Sequence, residues 1–224
     1  MNDVRIMATL KRLRNPRNIA GMARFGINPK NTLGISIPKL RALAKEIGRD
    51  HALAQKLWAS GIHEARILAS MVDEPARVTP AQMDRWVRGL DSWDVCDNVC
   101  GNLFDKTPHA WKKAIAWSKR SREFEKRAGF ALMAYLAWHD KHARDAQFEK
   151  FLPHLARGAT DERNFVKKAV NWALRQIGKR NRALNRAAIR IAREIAQKDS
   201  RAARWIAADA LRELQGAGTR QRLK

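Results

Sequence analysis

Residues Asn164–Arg193 read NFVKKAVNWALRQIGKRNRALNRAAIRIAR. Phe165, Val166, Ala169, Val170, Ala173, Leu174 and Ile177 recur at helical spacing, which predicts an amphipathic helix with that stripe buried. Lys168, Arg175 and Lys179 fall on the far side, and Trp172 lands beside them rather than in the middle of the stripe. From Arg163 to Arg193 the chain carries ten Lys or Arg residues and no Asp or Glu. A merely solvated helix interleaves acids with bases at i,i+4. An acid-free basic face bearing an aromatic suits a polyanion, with nucleic acid the first candidate.

The composition points the same way. Forty-five Lys and Arg against 22 Asp and Glu leave a formal charge of +23 on 224 residues. Such an excess opposes compaction by self-repulsion, so a use for it is expected. Anionic membrane is the rival partner, but no apolar run approaches the roughly 20 residues of a spanning helix, and no membrane association is expected. Met1–Leu10 is too short and mixed for a signal peptide, and neither Met1-Asn2 nor Leu223-Lys224 fits a lipidation motif. Cys96 and Cys100, four apart in one helical segment, read as reduced core thiols. A soluble monomer in the cytoplasm, associated with the nucleoid, is the expectation.

Working outward, the whole chain punctuates as helices. Arg, Ala, Leu and Lys dominate, all good helix formers, and alternating β-branched runs are missing. Asn15-Pro16, Ile37-Pro38, Glu74-Pro75, Thr79-Pro80, Asp91-Ser92, Thr107-Pro108 and Thr160-Asp161 look like N-caps or first-turn prolines. Between them about a dozen helices and essentially no strand are expected. Four helices share a small-residue register at Ala65, Ala128, Ala169 and Ala203, spaced 63, 41 and 34 residues apart, and a unit around Cys96 would divide the first gap. Helical pairs at roughly 40-residue spacing describe a HEAT-like array. The expected fold is all-α, a HEAT-like helical repeat superhelix (α-solenoid) with a concave basic groove. It would form a single domain over 1–214, followed by a flexible basic tail over 215–224.

The candidate chemistry lies in Asp91-Ser92-Trp93-Asp94-Val95-Cys96-Asp97. Asp91 or Ser92 caps a helix whose buried stripe is Val95, Cys96, Val99, Cys100 and Leu103. Trp93 and Asp97, four apart, project from one edge of that stripe. Two readings stand at this point: Trp93 is a core anchor and Asp97 offsets a neighbouring Arg, or the pair stabilises a transient positive charge at a sugar. His139-Asp140-Lys141-His142 lacks a third metal ligand at fitting spacing, and His63-Glu64 lacks the second His of a zincin helix. Glycine-rich phosphate loops and serine elbows are absent, so neither metal nor other cofactor is expected.

Three segments carry a family likeness: Ser92-Trp93-Asp94-Val95-Cys96-Asp97, Lys126-Arg127-Ala128, and Phe165 to Arg175. From about Met22 to about Glu213 the chain resembles the AlkD-like DNA alkylation repair proteins, HEAT-repeat DNA glycosylases that release 7-alkylguanine and 3-alkyladenine. The resemblance implies that Trp93 and Trp172 pack against the lesion deoxyribose, that Asp97 is the catalytic carboxylate, and that Arg127 holds the DNA backbone near the lesion. It also implies a grip on the backbone that leaves the lesion stacked or exposed. One element departs: the family's Met-Ala-Arg-Tyr reads Met22-Ala23-Arg24-Phe25 here, so Phe25 would meet DNA without a hydroxyl. The implied partner is double-stranded DNA with alkylated purines. The implied reaction is hydrolysis of the N-glycosidic bond by a monofunctional enzyme, since no Lys stands in the Ser92–Asp97 motif. An already cationic base leaves without a general acid, so one ionised carboxylate suffices and the paired carboxylates of glycoside hydrolases are unnecessary. The alternatives are a non-catalytic HEAT-repeat protein that recognises damaged or bent DNA, and a protein-interaction scaffold, which predicts a mixed-charge groove.

Overall fold

A computed structural model describes residues 3–223; Met1, Asn2 and Lys224, which belong to the terminal readings above, lie outside the described residues. The helices in order are α1 (Asp3–Arg12), α2 (Pro16–Arg24), α3 (Ile37–Ile47), α4 (His51–Ala59), α5 (His63–Val72), α6 (Pro80–Arg88), α7 (Trp93–Asn102), α8 (Ala110–Trp117), α9 (Glu123–His139), α10 (Asp145–Glu149), α11 (Leu152–Gly158), α12 (Asn164–Gly178), α13 (Arg182–Ala196), α14 (Arg201–Leu214) and α15 (Ala217–Arg222). Among the described residues there is no strand.

Local chemistry sets several of these boundaries. Asn15 and Thr79 cap α2 and α6, accepting from the backbone amides of Asn18 at 3.3 Å and Gln82 at 3.1 Å, each with proline in the first turn. Ser92 precedes α7 but turns its hydroxyl to Asp94 Oδ1 at 2.6 Å instead of capping. Thr107 departs from expectation too: its hydroxyl donates back to the Phe104 carbonyl, and α8 starts three residues later.

Where one domain over 1–214 is expected, the chain divides into two compact units that meet in sequence between His109 and Ala110. In the first, α5 packs on α3, α4 and α7; in the second, α12 packs on α9, α13 and α14. The register alanines Ala65, Ala128, Ala169 and Ala203, and Cys96 between the first two, are all fully buried. They sit on the helices through which successive pairs stack, α5 with α7, α9 with α12, and α12 with α14. Small side chains permit this proximity. A Cβ on Gly129 of α9 would lie 2.3 Å from the Ser118 backbone nitrogen at the end of α8.

The basic segment over 215–224 carries one more helix. Residues 217–222 form α15, Leu223 is buried, and its carbonyl accepts from Arg182 Nε at 3.2 Å. A single apolar side chain with a backbone tie gives this segment a docking point that periodicity could not show.

Candidate nucleic-acid interface

In the first unit, the stripe expected on α7 is present: Val95, Cys96, Val99, Cys100 and Leu103 are fully buried. Both thiols are free. Burial, with Cys96 and Asp97 nearby, pushes the Cys100 thiol well above its ordinary value. Trp93 and Asp97 are half-buried along the edge of this stripe. The indole Nε1 of Trp93 donates to the carbonyl of Phe25 at 3.0 Å, which brings the end of α2 to the start of α7. Phe25 itself is 73% exposed.

Around these aromatics lies a mainly apolar cavity of about 580 Å³, walled by Met22, Phe25, Ile35, Ile67 and Trp93. Its carboxylates are Asp94 and Glu64; Asp97 does not line it. Asp94 Oδ2 meets His63 Nε2 at 2.7 Å, joining α7 to α5, with His63 almost wholly buried. Burial opposes the charge on His63, but the bond and the attraction of Asp94 outweigh it and raise its pKa. The same pair lowers the Asp94 pKa despite burial. Glu64 is fully buried and accepts from the backbone amides of Leu33, Gly34 and Ile35 at 2.8, 2.6 and 3.1 Å. That clamp fixes the loop before α3, where Gly34 has φ 76° and leaves no room for a Cβ, which would meet the Asn15 carbonyl oxygen at 2.2 Å. Sequence reasoning set His63 and Glu64 aside as an incomplete metal motif; they are structural ties that position α7 and the cavity wall.

In the second unit, Val166, Ala169, Val170, Ala173, Leu174 and Ile177 are fully buried, as the stripe on α12 predicts, while Phe165 is half-buried and packs on Phe124. Trp172 is half-buried beside the stripe and meets Tyr135 edge-on at 4.9 Å. Arg127, expected on DNA, is instead 5% exposed, and its guanidinium donates to the Phe165 carbonyl at 2.6 Å. That donor ties α9 to the first turn of α12.

The basic face is less bare than its sequence. Arg175 contacts Glu213 and, at 3.5 Å, Asp209; Lys179 contacts Glu213 at 2.7 Å. Burial works against ionisation of Glu213, but these two cations prevail and lower its pKa. At the other end, Lys126 and Arg163 converge on Asp161 at 2.8 and 2.6 Å. Despite burial, their bonds hold that carboxyl well below the usual range. Arg175 and Lys179 thus stand in ion pairs, because acids absent from the local sequence arrive on α14. Lys168, and Arg186, Arg190 and Arg193 on α13, are exposed, and their side chains make no hydrogen bond or ion pair among the described residues.

The model of the family described as "DNA alkylation repair enzyme" matches residues 6–215. The chain belongs to that family. No curated protein matches the chain. A solved structure described as "a new family of proteins related to the HEAT-like repeat DNA glycosylases with affinity for branched DNA structures" is similar over 95% of both chains, with a TM-score of 0.79 and 20% identity. At that identity the likeness establishes the fold, a HEAT-like repeat array. Among the described residues no helix of this family member is long and apolar enough to cross a membrane.

Proposed function

We propose that the protein is a monofunctional DNA glycosylase acting on positively charged alkylpurines, 7-alkylguanine and 3-alkyladenine, in duplex DNA. The observation that carries this reading is the edge of α7: Trp93 and Asp97 stand one turn apart, both half-buried beside a fully buried stripe, in a chain of the alkylation repair family. In the reaction the C1′–N bond to the cationic base breaks and the base leaves neutral with the bonding pair. Asp97, ionised, faces the positive charge that develops on the sugar. Water then bonds to C1′ and releases its proton to Asp97 or solvent. No protonation of the leaving group is needed, so Asp97 suffices while Asp94 and Glu64 stay bound to His63 and to backbone amides.

The test is release of free 7-methylguanine from methylated duplex DNA. Asp97→Asn should keep the fold and DNA affinity while release falls about 100-fold or more, the scale of losing one electrostatic stabiliser. Uracil, a neutral base, should be untouched. Equal release by the two proteins removes Asp97 from the mechanism.

A second reading, DNA binding without excision, is favoured by the burial of Arg127 and by Phe25, and it accords with the affinity for branched DNA in the description of the structural relative. It predicts no base release together with tighter binding to branched than to linear duplexes.

A further inference from the structure

Two large aromatics stand exposed in the second unit, Trp138 and Trp205, and Trp138 is the more exposed at 53%. Trp138 does not dangle. Its ring stacks against Tyr135 at 6.2 Å and 22° and lies 4.7 Å from the ring of His139. Tyr135 in turn meets Trp172. The four rings form a continuous run from α12 to the last turn of α9, and neighbours hold the outermost indole while half of its surface stays in water. A pre-ordered aromatic face loses little entropy when a second planar group stacks on it.

Beside Trp138 lies a polar cavity of about 410 Å³. Lys141, Lys179 and Arg180 line it against one carboxylate, Asp145, whose oxygens accept from Asn181 at 2.8 and 3.0 Å. Arg180 is fixed: it donates to the Ala137 carbonyl at 2.7 Å and lies 4.0 Å over the Phe148 ring. Lys179 is shared with Glu213. Lys141 is exposed and makes no hydrogen bond or ion pair among the described residues.

We propose that this corner of the second unit binds unpaired nucleotides of a nucleic acid, one base stacked on Trp138 and the adjoining phosphate held by Lys141 and Arg180. A stacking face with cations beside it is what a single strand requires, because every base offers a π-face and every linkage a charge. Inside a paired duplex each base is stacked on both sides, so no internal base has a free face for an indole. A protein partner would need a wider apolar core around the indole, whereas the lining beside it is mostly cationic and polar. The site is distinct from the glycosylase reading and rests only on the second unit's meeting nucleic acid, so it stands or falls apart from excision.

The experiment compares a blunt duplex with the same duplex carrying a short oligo-dT overhang, by fluorescence anisotropy on the full chain. The native protein should bind the tailed duplex about 5-fold or more tightly, since one stacked base is worth that factor or more. Trp138→Ala should lose the advantage, Trp138→Phe should keep part of it, and Lys141→Gln should reduce the salt slope on tailed DNA by about 0.7, the share of one single-strand phosphate. Blunt-duplex affinity and 7-methylguanine release should be unchanged in Trp138→Ala, and the melting midpoint should move by only a few degrees, for the loss of two ring contacts. Equal binding of tailed and blunt DNA by the native protein overturns the proposal, as does a full advantage in Trp138→Ala. An equal loss on both DNAs would place Trp138 on the duplex and overturn it too. Absence of base release in every variant bears on the glycosylase reading alone.

Discussion

Replacing Asp94 with Asn strikes the tie that holds α7, and its effect depends on pH in a way the geometry dictates. The His63–Asp94 contact of 2.7 Å leaves side chains only 3% and 13% exposed. Removing one member of a buried pair costs about 3–5 kcal/mol when the other is left charged. His63 can discharge, which draws the value toward about 3 kcal/mol, or about 6–12 °C of melting midpoint at about 2–4 °C per kcal/mol for a chain of this size. The His63 pKa is raised above 6.5 and the Asp94 pKa lowered below 3.8. The histidine's contribution is therefore complete below 6.5 and is lost as pH rises through its raised value; the aspartate's is complete above 3.8 and is lost as pH falls through its lowered value. In Asp94→Asn, burial is left as the main influence on His63 and pulls its pKa down. The gap between the two proteins should thus be widest in mildly acidic buffer and shrink in alkaline buffer. Calorimetric scans of both proteins across that range test this, and the remaining histidines, common to both, cancel in the difference. A gap independent of pH would show that Asp94 acts by shape and hydrogen bonding alone.

Three further outcomes follow from the second unit. Trp172→Ala should lower base release while shifting the melting midpoint only a few degrees, because a half-buried ring with one edge contact is worth about 0.5–1.5 kcal/mol beyond its area; a loss near the about 3–5 kcal/mol of a buried Trp would mark it as core. Changing Lys168, Arg175 and Lys179 together to Gln should flatten the log–log salt dependence of DNA binding by about 0.9, not the about 2.7 of three free cations, since Glu213 and Asp209 already compensate two of them; a measured change near the larger figure refutes that compensation. Gly129→Ala should destabilise the protein by about 1–3 kcal/mol or more, because the added methyl meets backbone of α8 that cannot rotate away; chemical denaturation reads it, and an unchanged midpoint would mean that α8 and α9 separate freely.

Burial was legible residue by residue. The stripes of α7 and α12 and the proline-marked starts of α2 and α6 follow from period and cap chemistry, which are local. What escaped was the identity of the groups opposite. The acid-free run from Arg163 to Arg193 told nothing of Glu213, and His63 gave no sign of Asp94, because neither partner lies within a helical turn. The tie made by Arg127 escaped for the same reason, since the Phe165 carbonyl that accepts from it lies across the helix pair. Trp138 escaped differently. Exposure of an aromatic at a helix end depends on where the next pair begins, and period alone does not set that.

The missed contacts nevertheless share a length. Arg175 to Glu213, Asn171 to Asp209, Arg127 to Phe165 and Ser200 to Glu162 are each 38 residues apart, and Lys126 to Asp161 is 35. The register alanines of the second unit are 41 and 34 apart. Polar ties therefore join equivalent positions of successive helical pairs, and compensation of a basic face is to be sought one repeat away rather than one turn away. Applied to α13, that lag finds no acid. One repeat on from Arg182 stands Arg220, and one repeat back from Arg186, Arg190 and Arg193 stand Phe148, Leu152 and Leu155. The α13 arginines stay exposed for that reason, and spacings of four and three residues place them along one face of the helix. The acid on α13, Glu194, lies one turn from Arg190 yet pairs with none of these three arginines, and unpaired charge acts at longer range than charge in pairs. The outward field of this unit is thus set by α13 more than by the α12 face, whose sequence first suggested a polyanion.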